Sequence, residues 1–161
     1  MLLRSIELHN FRQFINEKID FSTDPDKNVT LVIGDNGTGK TTFAQAFTWC
    51  LYGETDFSNK TMLNRIVAEK MTPDQKVTVK VVLALTHGDA DYEIIRTQEY
   101  KKSYSNKVTG ANTVLNISRK NKNGNTKYLK PNECEFEIKK IIPCNNKHVI
   151  IKRKFFYRKL N

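Results

Sequence analysis

The sequence lacks any run of about 18 apolar residues, which excludes a membrane-spanning helix. Its start, Met1-Leu2-Leu3-Arg4-Ser5-Ile6-Glu7-Leu8, carries charge early and alternates, unlike the apolar core of a signal peptide. Residence in the cytoplasm is the resulting expectation. Cysteine is scarce: Cys50, Cys134 and Cys144 are odd in number and widely spaced, so they form neither a disulfide framework nor a CxxC metal pair. Free thiols in a reducing compartment fit this pattern. No internal repeat or low-complexity tract appears, and no break in composition marks a second domain.

What is present is unevenly charged. Residues 1–98 hold 11 Lys/Arg and 13 Asp/Glu, whereas residues 99–161 hold 16 Lys/Arg and only 4 Asp/Glu. A basic half suits a polyanion such as nucleic acid, because neutralising phosphates releases counterions. A Lys- and Asn-rich composition of the kind AT-rich coding produces is the alternative source of this charge.

Apolar and polar residues alternate over 2–8 and again over 17–21, predicting two half-buried strands around the interruption Asn10-Phe11-Arg12-Gln13-Phe14. A turn cluster follows at 22–28. Residues 29–33, Val29-Thr30-Leu31-Val32-Ile33, read as one largely apolar run with β-branched residues, predicting a strand buried on both faces. Phe43, Ala44, Ala46, Phe47 and Leu51 recur at helical spacing up to a stop at Gly53. Residues 53–74 read as loop, anchored by Met62, Leu63, Ile66 and Val67. Val77, Val79, Val81, Leu83 and Leu85 then alternate in a strand with one wet face, paired through a turn at 87–89 with a strand from Tyr92 to Arg96. A further hairpin is predicted at 114–118 and 126–129, and a helix from Glu133 to Ile142, ended by Pro143.

Between the buried strand and the first helix lies Gly34-Asp35-Asn36-Gly37-Thr38-Gly39-Lys40-Thr41, the G-x-x-x-x-G-K-[ST] phosphate-binding loop in its required strand–loop–helix setting. Glycines let successive N–H groups converge into an anion nest, and the new helix adds its free amides and dipole. Lys40 supplies a point charge to the β- and γ-phosphates, and the Thr41 hydroxyl is placed to ligate Mg²⁺. ATP and Mg²⁺ are the expected cofactors.

The loop has company. Ser5 to Phe14 with its Asn10-Phe11-Arg12-x-Phe14 element, the loop extended to Thr42, and Leu51-Tyr52-Gly53 together resemble the N-terminal lobe of the SMC-like ATPases. That group includes SbcC and its double-strand-break-repair relatives, RecF, and the DndD and Lamassu-type defence ATPases. The resemblance covers about the first 100 residues well, and Glu133 to Pro143 resembles a helix near the family's Q-loop. It implies an α/β P-loop NTPase, namely the N-terminal lobe of an ABC-ATPase head with parallel core strands and an antiparallel β subdomain. On this basis residues 1–143 are the half-head and 144–161 a basic tail, either truncated or disordered.

The resemblance further implies nucleotide contacts from Arg12, Asn36, Gly37, Thr38, Gly39, Lys40, Thr41 and Thr42, with Thr41 on the metal. A surface ion pair is the alternative role for Arg12, and Phe11 and Phe14 are expected in the core rather than against adenine. It also implies DNA as partner of the complete protein, a C-terminal lobe and second head joined by ATP, and in some branches a nuclease subunit. No catalytic residue is assigned. Four apolar residues followed by Asp-Glu do not occur, nor does a Ser-Gly-Gly signature, and Gln98 sits inside a predicted strand rather than in a Q-loop. The chain alone is therefore expected to bind ATP and hardly to hydrolyse it. A non-hydrolysing binding module or an inactive gene fragment is the alternative, and a small kinase is a more distant one.

Overall fold

The computed structural model describes residues 1–142 apart from 25 and 28, so the tail expected at 144–161 lies outside the described residues. Strand β1 (Leu2–Phe11) turns back as β2 (Phe14–Asp20). Helix α1 (Lys40–Tyr52) and the short α2 (Arg65–Lys70) follow. Strands β3 (Lys76–His87), β4 (Ala90–Lys102), β5 (Val108–Gly110), β6 (Val114–Asn121) and β7 (Thr126–Tyr128) lead into α3 (Pro131–Ile141).

All these strands join one antiparallel sheet in the order β2-β1-β3-β4-β6-β7, with β5 paired to β4. The expected alternation holds: Val79, Val81, Leu83 and Leu85 are buried on one face beside Ile6, Leu8, Ile94 and Ile117. The inner face carries α1, whose Phe43, Phe47, Trp49 and Leu51 are buried against it. Trp49 meets Phe11 with ring centroids 5.4 Å apart, and Phe43 meets Phe47 edge-on at 5.4 Å. Phe11 is fully buried and Phe14 partly so, which places both with the core as the sequence suggested.

Three readings change. Residues 29–33 form no strand, and Val29, Leu31 and Ile33 are 68%, 57% and 73% exposed. A strand buried on both faces needs ladder partners, and every described strand is already taken up in the antiparallel sheet. Residues 65–70 are helix rather than loop, because Asn64 caps them by accepting from the Val67 amide at 3.1 Å. Met62 and Leu63 are the buried anchors there, while Ile66 is 52% exposed. In α3 the expected apolar face holds for Ile138, Ile141 and the following Ile142, but Phe136 is 62% exposed.

Candidate functional site: a phosphate cradle at the start of helix α1

The site is built where the glycine-rich loop enters α1. Gly39 is the N-cap residue with φ of 103°, in the left-handed region where a side chain is strained. It offers no side-chain cap to the helix, and no acidic residue occupies the first turn. The opening amides of α1 and the positive end of its dipole are thus left for an outside acceptor. Gly37, with φ of 85°, makes the other left-handed bend of the loop.

Thr38 tightens the preceding turn: its amide donates to the Asp35 carbonyl at 3.3 Å and its hydroxyl donates to the same oxygen at 2.8 Å. A Cβ on Gly34 would stand 2.6 Å from that hydroxyl, so a side chain there would push the hydroxyl out of its present place. Lys40 folds its ammonium back onto the loop, donating to the carbonyls of Gly34 at 2.6 Å and Asp35 at 2.7 Å. This holds a positive charge over the loop, close to the opening amides of α1. Thr41 is exposed, and Thr42 is buried one residue further on.

These elements surround a cavity of about 300 Å³ lined by Gln13, Asn36, Gly37, Gly39, Lys40, Thr41 and Thr42. The structure therefore brings together six of the eight residues picked from the sequence. Thr38 shapes the loop from outside the lining. Arg12 points elsewhere: it donates to the Thr61 carbonyl at 2.8 Å, and its guanidinium lies 4.4 Å from the centre of the Phe57 ring. The lining residue that the sequence reading passed over is Gln13, next to Arg12 in the same turn. Gln98 is committed to the fold, donating to the Ala111 carbonyl and accepting from the Tyr100 hydroxyl, each at 2.8 Å.

The donor set fits a nucleotide triphosphate with Mg²⁺. Uncapped helix amides and an ammonium suit phosphate oxygens, and an exposed threonine hydroxyl at the first turn suits a hard cation that keeps most of its waters. Among the described residues no cluster of His, Cys, Asp or Glu could hold a metal by itself. No described helix is long and apolar enough to cross a membrane.

The chain is 27% identical over 127 residues to a DNA double-strand break repair Rad50 ATPase of Methanocaldococcus jannaschii, covering 72% of the chain and 11% of that protein. It is 38% identical over 52 residues to the Rad50 ATPase of Methanococcus maripaludis, covering 32% of the chain and 5% of that protein. The chain thus spans about a tenth or less of the length of these curated relatives. Among solved structures, the recombination mediator RecF with ATP superposes with a TM-score of 0.49 at 24% identity, over 80% of this chain and 28% of that one. A structure from work on ATP-driven dimerization and DNA-stimulated activation of SMC ATPases gives a TM-score of 0.42 at 16% identity, over 95% and 90% of the two chains. The resemblance to the N-terminal region of an SMC-like P-loop ATPase stands on the family match together with the Rad50 relatives. Residues 5–160 match the AAA domain family, and the chain belongs to it.

Proposed function

We propose that this chain is the ATP-binding N-terminal lobe of an SMC-like ATPase head acting on DNA, in double-strand-break repair, DNA metabolism or anti-phage defence. The carrying observation is the cradle itself: an uncapped, acid-free helix start beneath Lys40, with Asn36, Gly37, Gly39, Thr41 and Thr42 around one cavity. Asn36 to Lys40 hold the phosphates, Thr41 ligates Mg²⁺ and Thr42 closes the first turn over them. Arg12 joins from the β1–β2 turn by exchanging the Thr61 carbonyl for the nucleotide. Bound Mg²⁺ would neutralise charge on the β- and γ-phosphates.

The exposed run of Val29, Leu31 and Ile33 supports the half-head reading. An apolar, β-branched segment immediately before the loop is suited to a parallel ladder whose other strands come from a C-terminal lobe. That lobe would also bring the acids that position the attacking water, since phosphoryl transfer needs several preorganised groups besides a phosphate loop. ATP then joins two such heads, and the joined pair grips DNA. Lys107, Lys120 and Lys127 are exposed and are suited to contact its phosphates. A nuclease subunit is a further partner consistent with the repair branch.

The test is reconstitution. The chain alone should show no turnover, and mixing it with a C-terminal ATPase lobe should produce ATP hydrolysis that DNA stimulates. DNA affinity should fall steeply between about 50 and 200 mM salt. Turnover by the chain alone at the level of a complete head, or salt-independent DNA binding, contradicts the reading.

A further inference from the structure

The β1–β2 turn is two residues long, because Phe11 pairs with Phe14 across it. Arg12 sits at its first position with φ of 54°, and its amide donates to the Met62 carbonyl at 2.8 Å. That bond and the contacts of the Arg12 guanidinium with Thr61 and Phe57 place Arg12 on the 57–62 side while no nucleotide is bound. The second turn residue, Gln13, falls on the opposite side and lines the phosphate cavity.

Its carboxamide occupies the space beside Gly39 that any side chain there would need: a Cβ on Gly39 would collide with the Gln13 amide nitrogen and come within 3.2 Å of Phe14 Cζ. Gly39 is the N-cap of α1, so the Gln13 amide stands at the helix start where the free amides converge. The side chain is exposed and makes no hydrogen bond among the described residues. An exposed carboxamide without a partner, held over an uncapped helix start, has two N–H donors to offer an acceptor bound there.

We propose that Gln13 is a nucleotide-binding residue, donating from Nε2 to a phosphate oxygen of the triphosphate held by the loop. The turn thereby acts as a second wall of the phosphate site. It links the edge of the antiparallel sheet to the nucleotide through Gln13. This inference rests on the phosphate-site reading above, and it concerns a residue outside the glycine-rich loop.

The experiment titrates the 161-residue chain with Mg²⁺ and the β,γ-imido analogue of ATP by calorimetry. Wild type, Gln13→Ala, Gln13→Glu and Lys40→Ala are compared, and the side-chain carboxamide resonances of the wild type are followed by NMR. Gln13→Ala should weaken binding about fivefold, the range of one hydrogen bond at an exposed site. Gln13→Glu should weaken it further, because a carboxylate faces the phosphates. Thermal unfolding without nucleotide should be the same in wild type and Gln13→Ala, and the resonance lost in Gln13→Ala should move on saturation of the wild type. Binding by Gln13→Ala within twofold of wild type, while Lys40→Ala abolishes it, overturns the role of Gln13 and leaves the phosphate site standing. Absence of binding by the wild type overturns the phosphate site and this inference together.

Discussion

The Arg96 guanidinium donates from Nε to the Cys50 carbonyl at 2.9 Å, tying the middle of β4 to the end of α1. Its other nitrogens donate to the Leu51 carbonyl and the Thr113 hydroxyl, each at 3.3 Å. Arg96 is 7% exposed. The last carbonyls of a helix have no partners within it, and they carry the negative end of its dipole. Arg96 meets both needs, so the helix that starts at the glycine-rich loop is closed at its other end by a fixed positive charge.

Removing this arginine leaves buried carbonyls unpaired. Arg96→Ala should destabilise the chain by about 3 kcal/mol in urea denaturation. Arg96→Lys should recover only part of that, because an ammonium cannot reproduce the planar fork. A loss below about 0.5 kcal/mol for the alanine variant would show that the helix end is closed by other means.

The thiols report the integrity of the same region. Burial pushes the Cys50 thiol up to about 12, although Arg96 opposes the shift. Its Sγ lies 3.7 Å from the Val81 carbonyl and 3.6 Å from the Ile94 carbonyl. Cys134 is also buried, and its thiol is raised for the same reason. Reactivity requires the thiolate and access. Mass spectrometry after mild alkylation at pH 8 should find both residues unmodified in the folded chain and modified in urea. Rapid labelling of Cys50 under native conditions would contradict the packing of α1 on β3 and β4.

Asp91 gives an acid-sensitive contact at the start of β4. Its carboxylate accepts from the Thr86 hydroxyl at 2.6 Å and from Arg4 at 3.2 Å. The Thr86 hydrogen bond, followed by the Arg4 charge, holds the carboxyl below its usual 3.8. A carboxyl depressed in the folded state stabilises above its unfolded pKa and loses that contribution as pH falls through 3.8 and below. Arg4 and Asp91 are both half exposed, so the effect should be about 0.5 kcal/mol. Asp91→Asn should therefore lower stability slightly at pH 7 and leave it closer to wild type at pH 3. An equal deficit at both values would rule out this carboxylate as the source.

The antiparallel sheet was legible because alternation over 76–85 reports a single buried face, and the structure buries Val79, Val81, Leu83 and Leu85 of that set, with Val77 partly buried. The loop and helix were legible because glycine, lysine and threonine at fixed spacing have few other uses. Residues 29–33 were not, since their composition records burial that the described residues do not supply. The direction of Arg12 and Gln13 was not either: a motif marks a turn but not which of its two residues faces the cavity. That is decided by the left-handed backbone at Asn10 and Arg12, both with φ of 54°, and by the distant Met62 carbonyl. Arg96 read as a strand end because the carbonyls it serves lie about 45 residues earlier in the chain.

If the loop into α1 holds the phosphates of ATP, the Lys40 ammonium leaves the Gly34 and Asp35 carbonyls to meet them. Equilibrium binding of a fluorescent ATP analogue, with and without Mg²⁺, tests it most directly. Wild type should bind in a Mg²⁺-dependent, ATP-competable manner, Thr41→Ala should lose the Mg²⁺ dependence, and Lys40→Ala should lose binding at least tenfold. Binding by Lys40→Ala as tight as wild type would show that the loop does not hold the phosphates.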